Sequence, residues 1–333
     1  NYYMHVEVSR SAEDFNKLKH SWKVLVEQSA VSTPFQTVEF QNEWWTNFGG
    51  DALRLICVYD TDNLVGLASM YIDKNNVLRW VGGEDIADYH DVIASEENVE
   101  VVRKLVFDWL SGSQADDWHS ADLANIPQWS GSVSHWSELA LAQDWKAASR
   151  IETVCPQLAL PDNFESYLGV LGGKQRREIR RKLRRADAEG ASAVFITDPS
   201  DQYLEIQEFI KLMESSGREK AEFLNSGMRE AFVNILKAMQ DCGLLRLCFL
   251  KLEDHNLASY AYFSMGDTLY LYNSGYDVGQ YAALSPGWVL LAKLFDHAIN
   301  NGHKRFDFMR GDEDYKYRFG GEDVSLMRLQ INR

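Results

Sequence analysis

Four consecutive residues, Ser285, Pro286, Gly287 and Trp288, are of the types that open a helix towards an anion. Serine suits the N-cap and proline the first turn, and a helix start carries unpaired N–H groups at the positive end of its dipole. A helix that binds nothing would begin the same way. Downstream, Asp307 alternates with Phe306 and Phe308, so on a strand it faces away from them. Its carboxylate could act as a base, or could hold Lys316 or a backbone amide. Lys316 lies in the turn Arg310-Gly311-Asp312-Glu313-Asp314-Tyr315-Lys316-Tyr317-Arg318-Phe319, where it could bind an anionic part of a donor or acceptor or form a surface ion pair. Tyr276 and Asp277 end a strand upstream, and Asp277 equally suits an Asx turn. Together these residues could present an acyl thioester.

Two further clusters carry chemistry. Asp88, Tyr89 and Asp91, in the loop 84–93, could bind a polyol acceptor through carboxylate–hydroxyl hydrogen bonds, or could cap the loop. Residues 174–185 hold eight basic side chains against Glu178, a net of +7 in a chain whose formal charge is −15. Ile179, Leu183 and Ala186 form a narrow apolar stripe there. The segment 174–190 is therefore expected as a helix laid on the protein with its basic faces, including Arg176, Arg177 and Arg180, turned outward. Such a run is either a solvated face or a contact for RNA, an acidic carrier protein or the phosphates of a cofactor.

Regular elements must hold these residues. Strands are expected at 244–251, 257–265 and 268–274. A helix follows to about 301, with Trp288, Leu291, Leu294, Phe295, Ala298 and Ile299 on one face. Gly302 stops it, and strands at 305–309 and 324–331 follow. Between the basic helix and the first of these strands come a strand at 193–197, helices at 201–213 and 228–239, and a polar linker, 214–227, expected to border a cleft. The first half reads similarly, with helices at 12–27 and 38–48 and a hairpin of strands 53–59 and 64–72. Leu53-Arg54-Leu55-Ile56-Cys57 matches Leu245-Arg246-Leu247-Cys248-Phe249, each followed by a turn, a third strand and a helix. This self-similarity predicts two copies of one mixed α/β unit, in domains 1–158 and 159–333.

Composition narrows the classes. Hydrophobic residues make up 45% and aromatic residues 12%, which suits filled globular cores. No apolar run approaches the ~20 residues that span a bilayer. No leader is visible, so a cytoplasmic location is expected. The negative charge argues against DNA as partner. The four cysteines and eight histidines lack metal-ligand spacing, so no metal is expected, and Cys57 and Cys248 read as buried thiols. No GxSxG, P-loop or GxGxxG is present.

The order of elements in the second half resembles the GNAT superfamily of acyl-CoA N-acyltransferases. Tyr276-Asp277, Leu284-Ser285-Pro286-Gly287, Phe306-Asp307-Phe308 and Tyr315-Lys316 look like the CelD/BcsL group of acetyltransferases involved in cellulose biosynthesis. Thr33-Pro34-Phe35-Gln36, Trp44-Trp45 and Asp88-Tyr89-His90-Asp91 extend that likeness into the first half. The basic helix is also similar to that group and, more distantly, to the FemABX aminoacyltransferases, which carry two GNAT-like halves. The resemblance implies a fold of two tandem GNAT-like domains with mostly antiparallel mixed sheets. It implies transfer from acetyl-CoA or another acyl-CoA to an amine or hydroxyl of a small-molecule or glycan acceptor. Tyr315 stands where such enzymes often protonate the departing thiolate. Ser285, Pro286, Gly287 and Trp288 stand at the pyrophosphate loop, though only one glycine of the usual arginine/glutamine-x-x-glycine-x-glycine form is kept. The reduced loop and the basic helix leave two other readings open: a FemABX-like transferase using aminoacyl-tRNA, and a non-catalytic scaffold for exopolysaccharide assembly.

Overall fold

The computed structural model describes residues 3–333. It divides into two units, Asn1–Val154 with Val324–Arg333, and Cys155–Asp323.

The first unit runs β1 (Met4–Ser9), α1 (Glu13–Gln28), α2 (Val38–Phe48), β2 (Leu53–Asp60), β3 (Asn63–Ile72), β4 (Val77–Trp80), β5 (Ile93–Ala94), α3 (Val99–Ser111), β6 (Ser120–Pro127), α4 (Ser132–Leu141) and β7 (Lys146–Val154). The second runs β8 (Gln157–Ala159), α5 (Phe164–Val170), α6 (Gly173–Ala188), β9 (Ser192–Phe195), α7 (Leu204–Ser215), α8 (Arg218–Phe223), α9 (Arg229–Asp241), β10 (Leu245–Leu252), β11 (His255–Met265), β12 (Thr268–Tyr276), α10 (Pro286–Asn300), β13 (Arg305–Asp307) and α11 (Asp314–Arg318). The chain ends in β14 (Ser325–Asn332).

Both sheets are mixed. The first has the order β1-β2-β3-β4-β6-β14-β7, with β5 on β3, and the second β8-β13-β12-β11-β10-β9. In each, antiparallel hairpins lead to one parallel pair, β4 with β6 and β12 with β13. The hairpins match in detail. Each slips register once near its turn, at Val58/Tyr59 and at Leu250/Lys251. Each turn holds a left-handed residue, Thr61 (φ 56°) and Glu253 (φ 52°). The repeat seen in residues 53–57 and 245–249 is thus a repeat of structure, and the expected mixed α/β architecture with two similar mixed sheets is observed.

The last strand departs from the expected division. β14 lies between β6 and β7 in the first unit's sheet. In the second unit the place beside β13 is taken by β8, from the segment expected as the boundary. Alternation along a strand reports which face is buried, not which sheet receives it. β5, β8, α5 and α8 were not expected; none is long enough to show a period. Cys57 and Cys248 are buried free thiols, as expected.

One glycine sets the spacing of the second unit. A Cβ on Gly275 would lie 2.3 Å from the Met213 amide nitrogen and 2.4 Å from the Leu212 carbonyl carbon, so the backbone of α7 rests on β12 there. Backbone cannot yield as a flexible side chain does. Gly275→Ala is expected to lower the urea-unfolding free energy of the chain by about 2 kcal/mol, within the range of overpacked cores. An unchanged midpoint would show that α7 moves freely.

Candidate active site

The parallel pair of the second unit opens almost at once. β12 and β13 pair over three residues, from Thr268↔Arg305 to Tyr270↔Asp307, after which β13 stops and β12 continues to Tyr276. On its other edge β12 slips register, with Ala261 opposite Asn273 but Tyr262 opposite Leu271. That bulge at Tyr272 sharpens the local twist. A cavity of about 650 Å³ is lined by Ser274 and Tyr276 of the open strand, by Ser285, Pro286, Gly287 and Trp288 at the start of α10, and by Tyr315.

The start of α10 is built to leave donors free. Val289 N–H donates to Ser285 O at 3.0 Å, closing the first turn. Pro286 has no N–H, and the amides of Gly287 and Trp288 have no intrahelical partner. The tyrosyl Oη of Tyr260 donates to Gly287 O at 2.9 Å and fixes the turn. Ser285 sits at the N-cap but does not cap. Its left-handed backbone (φ 51°, ψ 57°) lies outside the extended conformation from which a capping hydroxyl reaches the next turn, and its side chain makes no cap bond. Positive charge gathers on the Trp288 side chain: Lys182 Nζ, 3.7 Å from Glu178, lies 3.8 Å from the centre of the indole ring, and Arg318 Cζ lies 5.9 Å from it. Burial lowers the pKa of Lys182 from the usual lysine value.

Tyr315 lines the same cavity, and burial, reinforced by the Glu313 carboxylate, pushes its phenol well above the usual range. The phenol therefore keeps its proton at neutral pH and acts as a hydrogen-bond donor. Lys220 of α8 also lines the cavity. Its ammonium donates to the backbone carbonyl of Ser274 and, at 2.9 Å, to the Ser274 hydroxyl. Burial depresses its pKa to about 8, against the opposing pull of Glu313 and Glu219. Sequence reasoning had expected the linker 214–227 to border a cleft but had not singled out Lys220. The signal was there in a lone lysine following Glu219 in that linker.

Seven expected residues thus meet at one cavity: Tyr276, Asp277, Ser285, Pro286, Gly287, Trp288 and Tyr315. Asp277 also makes the Asx turn, accepting from Gly279 N–H at 2.8 Å. Other assignments need correction. Asp307 is 2% exposed; its Oδ1 accepts from Met309 N–H at 2.7 Å and its Oδ2 from Gln157 Nε2 at 3.1 Å. Both oxygens are engaged in holding the end of β13, so it is not placed as a base. Lys316, also 2% exposed, donates to the carbonyls of Met309, Arg310 and Gly311 at 3.3, 3.0 and 3.2 Å and pairs with Glu313 at 2.9 Å. It is an internal tie, neither a surface ion pair nor a ligand contact.

In the first unit Asp88, Tyr89 and Asp91 are all buried. Asp91 Oδ1 accepts from Ser132 Oγ at 2.5 Å and from Val92 N–H at 2.7 Å, and Tyr89 O accepts from Gln36 Nε2 at 3.0 Å. They brace the loop, and none is presented to an acceptor. Arg176, Arg177 and Arg180 lie on α6 but do not line the cavity; Lys182 is the residue of that helix that does. Arg180 pairs with Glu165 at 2.6 Å. Among the described residues no group of three or more His, Cys, Asp or Glu side chains could hold a metal, and no helix is long and apolar enough to cross a membrane.

Comparison with known proteins agrees with this geometry. Residues 173–317, which include every residue lining the cavity, match the family described as acetyltransferase (GNAT) domain. No curated protein matches the chain by sequence. Among solved structures, FemX superposes with a TM-score of 0.64 at 12% identity, over 97% of this chain and 96% of its own. The C-terminal domain of a lysylphosphatidylglycerol synthetase from Agrobacterium fabrum gives 0.59 at 9% identity, over 97% and 92%. L-PGS from Bacillus licheniformis gives 0.58 at 12%, over 94% and 91%. At these identities the likeness is one of fold, and it extends over both units. Residues 173–317 of this chain are thus similar to a GNAT acetyltransferase domain, and the cavity lies within that stretch.

Proposed function

We propose that the second unit transfers an acyl group from acyl-CoA to an amine or hydroxyl. One observation carries this reading: the parallel pair opens into a cavity that ends at two unpaired helix amides beside Lys182, with a protonated tyrosine in its lining. The pyrophosphate would sit on the amides of Gly287 and Trp288, where the helix dipole and Lys182 favour negative charge. The thioester carbonyl would lie along the open edge of β12. Attack by the nucleophile forms the new C–N or C–O bond and breaks the C–S bond. Tyr315 donates a hydrogen bond to the sulfur as charge develops, and the nucleophile's proton ends on the thiolate. The likeness to the CelD/BcsL group suggests a sugar or polysaccharide precursor as acceptor.

Calorimetric titration with acetyl-CoA and longer acyl-CoAs tests the donor. Binding is expected, weakened about tenfold by Lys182→Ala, the size of one charge-assisted contact. Absence of binding to every acyl-CoA would reject this donor.

A second donor is favoured by one feature of α6. Lys174, Arg177, Arg184 and Arg185 are exposed along the helix and form no ion pair with an acidic side chain among the described residues. An aminoacyl ester on tRNA would use that stripe, and FemX shares the fold. Filter binding in which tRNA affinity ignores charge reversal of Arg177 and Arg184 would exclude it.

A further inference from the structure

The opening of the second unit has a counterpart in the first. β4 pairs with β6 only at Val77↔Ser120 and Leu78↔Ala121, after which β4 runs on to Trp80 and β6 to Pro127. A second cavity, of about 290 Å³, lies where they part, lined by Arg79 and Trp80 of β4, Asp122 of β6, Trp44 of α2 and Tyr71 of β3. Its lining includes no helix start, so the phosphate cradle of the second unit has no equivalent here.

Aromatic faces and paired charges take its place. The rings of Trp44 and Tyr71 pack 5.5 Å apart at 44°. Gly83, with φ +68°, brings the loop against Trp44, and a Cβ there would lie 3.0 Å from the indole. Asp122 receives Arg79 Nη1 at 3.2 Å and both Nε and Nη2 of Arg328 at 2.6 Å. Trp80 is 4% exposed, and its indole N–H is buried without an acceptor. Such an orphan donor is costly in a folded protein unless something else meets it.

We propose that this cavity binds a single pyranose ring of an uncharged sugar. The apolar C–H face of the ring would lie on the half-buried Tyr71, which Trp44 backs. Adjacent hydroxyls would bridge the Asp122 carboxylate and the Arg79 guanidinium, whose fixed geometry suits paired donors and acceptors. The volume is at the lower limit of ordinary ligand pockets, ~300 Å³, enough for one ring and too small for a nucleotide. Four carboxylates, Glu84, Asp85, Asp122 and the Asp73 that pairs with Arg79, stand against two guanidiniums, Arg79 and Arg328, so phosphorylated sugars are repelled.

Saturation-transfer NMR on the full chain tests this with glucose, galactose, N-acetylglucosamine and glucose 6-phosphate as probes. No thioester is needed, so the result does not depend on the transfer reaction. Transfer to at least one uncharged sugar is expected, with none to glucose 6-phosphate. Tyr71→Ala is expected to weaken binding about tenfold, and the isosteric Asp122→Asn to do the same, each variant checked for folding by circular dichroism. No signal from any uncharged sugar at tens of millimolar would overturn the proposal. So would unchanged binding in folded Tyr71→Ala, or equal binding of glucose 6-phosphate.

Discussion

Tyr315→Phe is expected to reduce kcat for acyl transfer about a hundredfold, the lower range for loss of a positioned proton donor. The phenylalanine keeps the ring that stands edge-on to Phe308, 6.3 Å between centres, so the fold should be unaffected. It removes only the hydroxyl. Acyl-CoA affinity by calorimetry should stay within about twofold, because a donor to the developing thiolate acts in the transition state and not in the bound thioester. The pH profile gives an independent check. Burial and Glu313 hold the Tyr315 phenol well above the usual range, so its proton stays on at every ordinary assay pH. The wild-type rate should therefore show no fall assignable to this phenol below pH ~10, the unperturbed value. A kcat that survives Tyr315→Phe would leave Lys220, whose pKa is about 8, as the donor facing the sulfur.

Which parts of this site were legible in the sequence follows from how each residue is positioned. That Ser285 to Trp288 open a helix was legible because a helix start is a local event, written in four adjacent residues. The positions of Tyr276, Asp277 and Tyr315 were legible because they end or follow strands whose runs of apolar residues are plain. For Asp307 the sequence left a base and a backbone-amide tie open, and the structure shows the tie, to Met309 N–H; the role of Lys316 was not legible, because it is set by partners that sequence spacing does not reveal. Asp307 is held by Gln157, 150 residues away, on a three-residue strand too short to show a period. Lys316 is held by three carbonyls of a loop whose path depends on a left-handed Met309 (φ 61°). Asp88, Tyr89 and Asp91 read as a polar loop, yet all three are buried. The fold was more legible than the site. Its hairpins and helices are long enough to carry their own periods, and the duplication shows each of them twice. The exception is β14, whose pattern fits any sheet edge.

Lys316→Met is expected to destabilise the second unit strongly. The sequence alone allowed Lys316 to be an anion ligand, and the two roles predict opposite results. A ligand contact would leave stability intact and raise the KM of the charged substrate. An internal tie does the reverse. Methionine fills the volume but supplies no donor, leaving the carbonyls of Met309, Arg310 and Gly311 without the ammonium that now gathers them. Stranded buried acceptors cost about 1–3 kcal/mol each, reduced for those that find water. Half-exposed Glu313 can solvate its own charge, so the loss falls mainly on the carbonyls. A total of about 3 kcal/mol is expected, or a fall in Tm of roughly 6–12 °C for a unit of this size. Activity should fall with it, because the loop that Lys316 gathers leads directly into Tyr315. Lys316→Arg keeps the charge but not the compact point of donation, and should recover only part of the loss. If Lys316→Met melts with the wild type while KM rises, the side chain is reading a ligand after all, and the loop is held by something else.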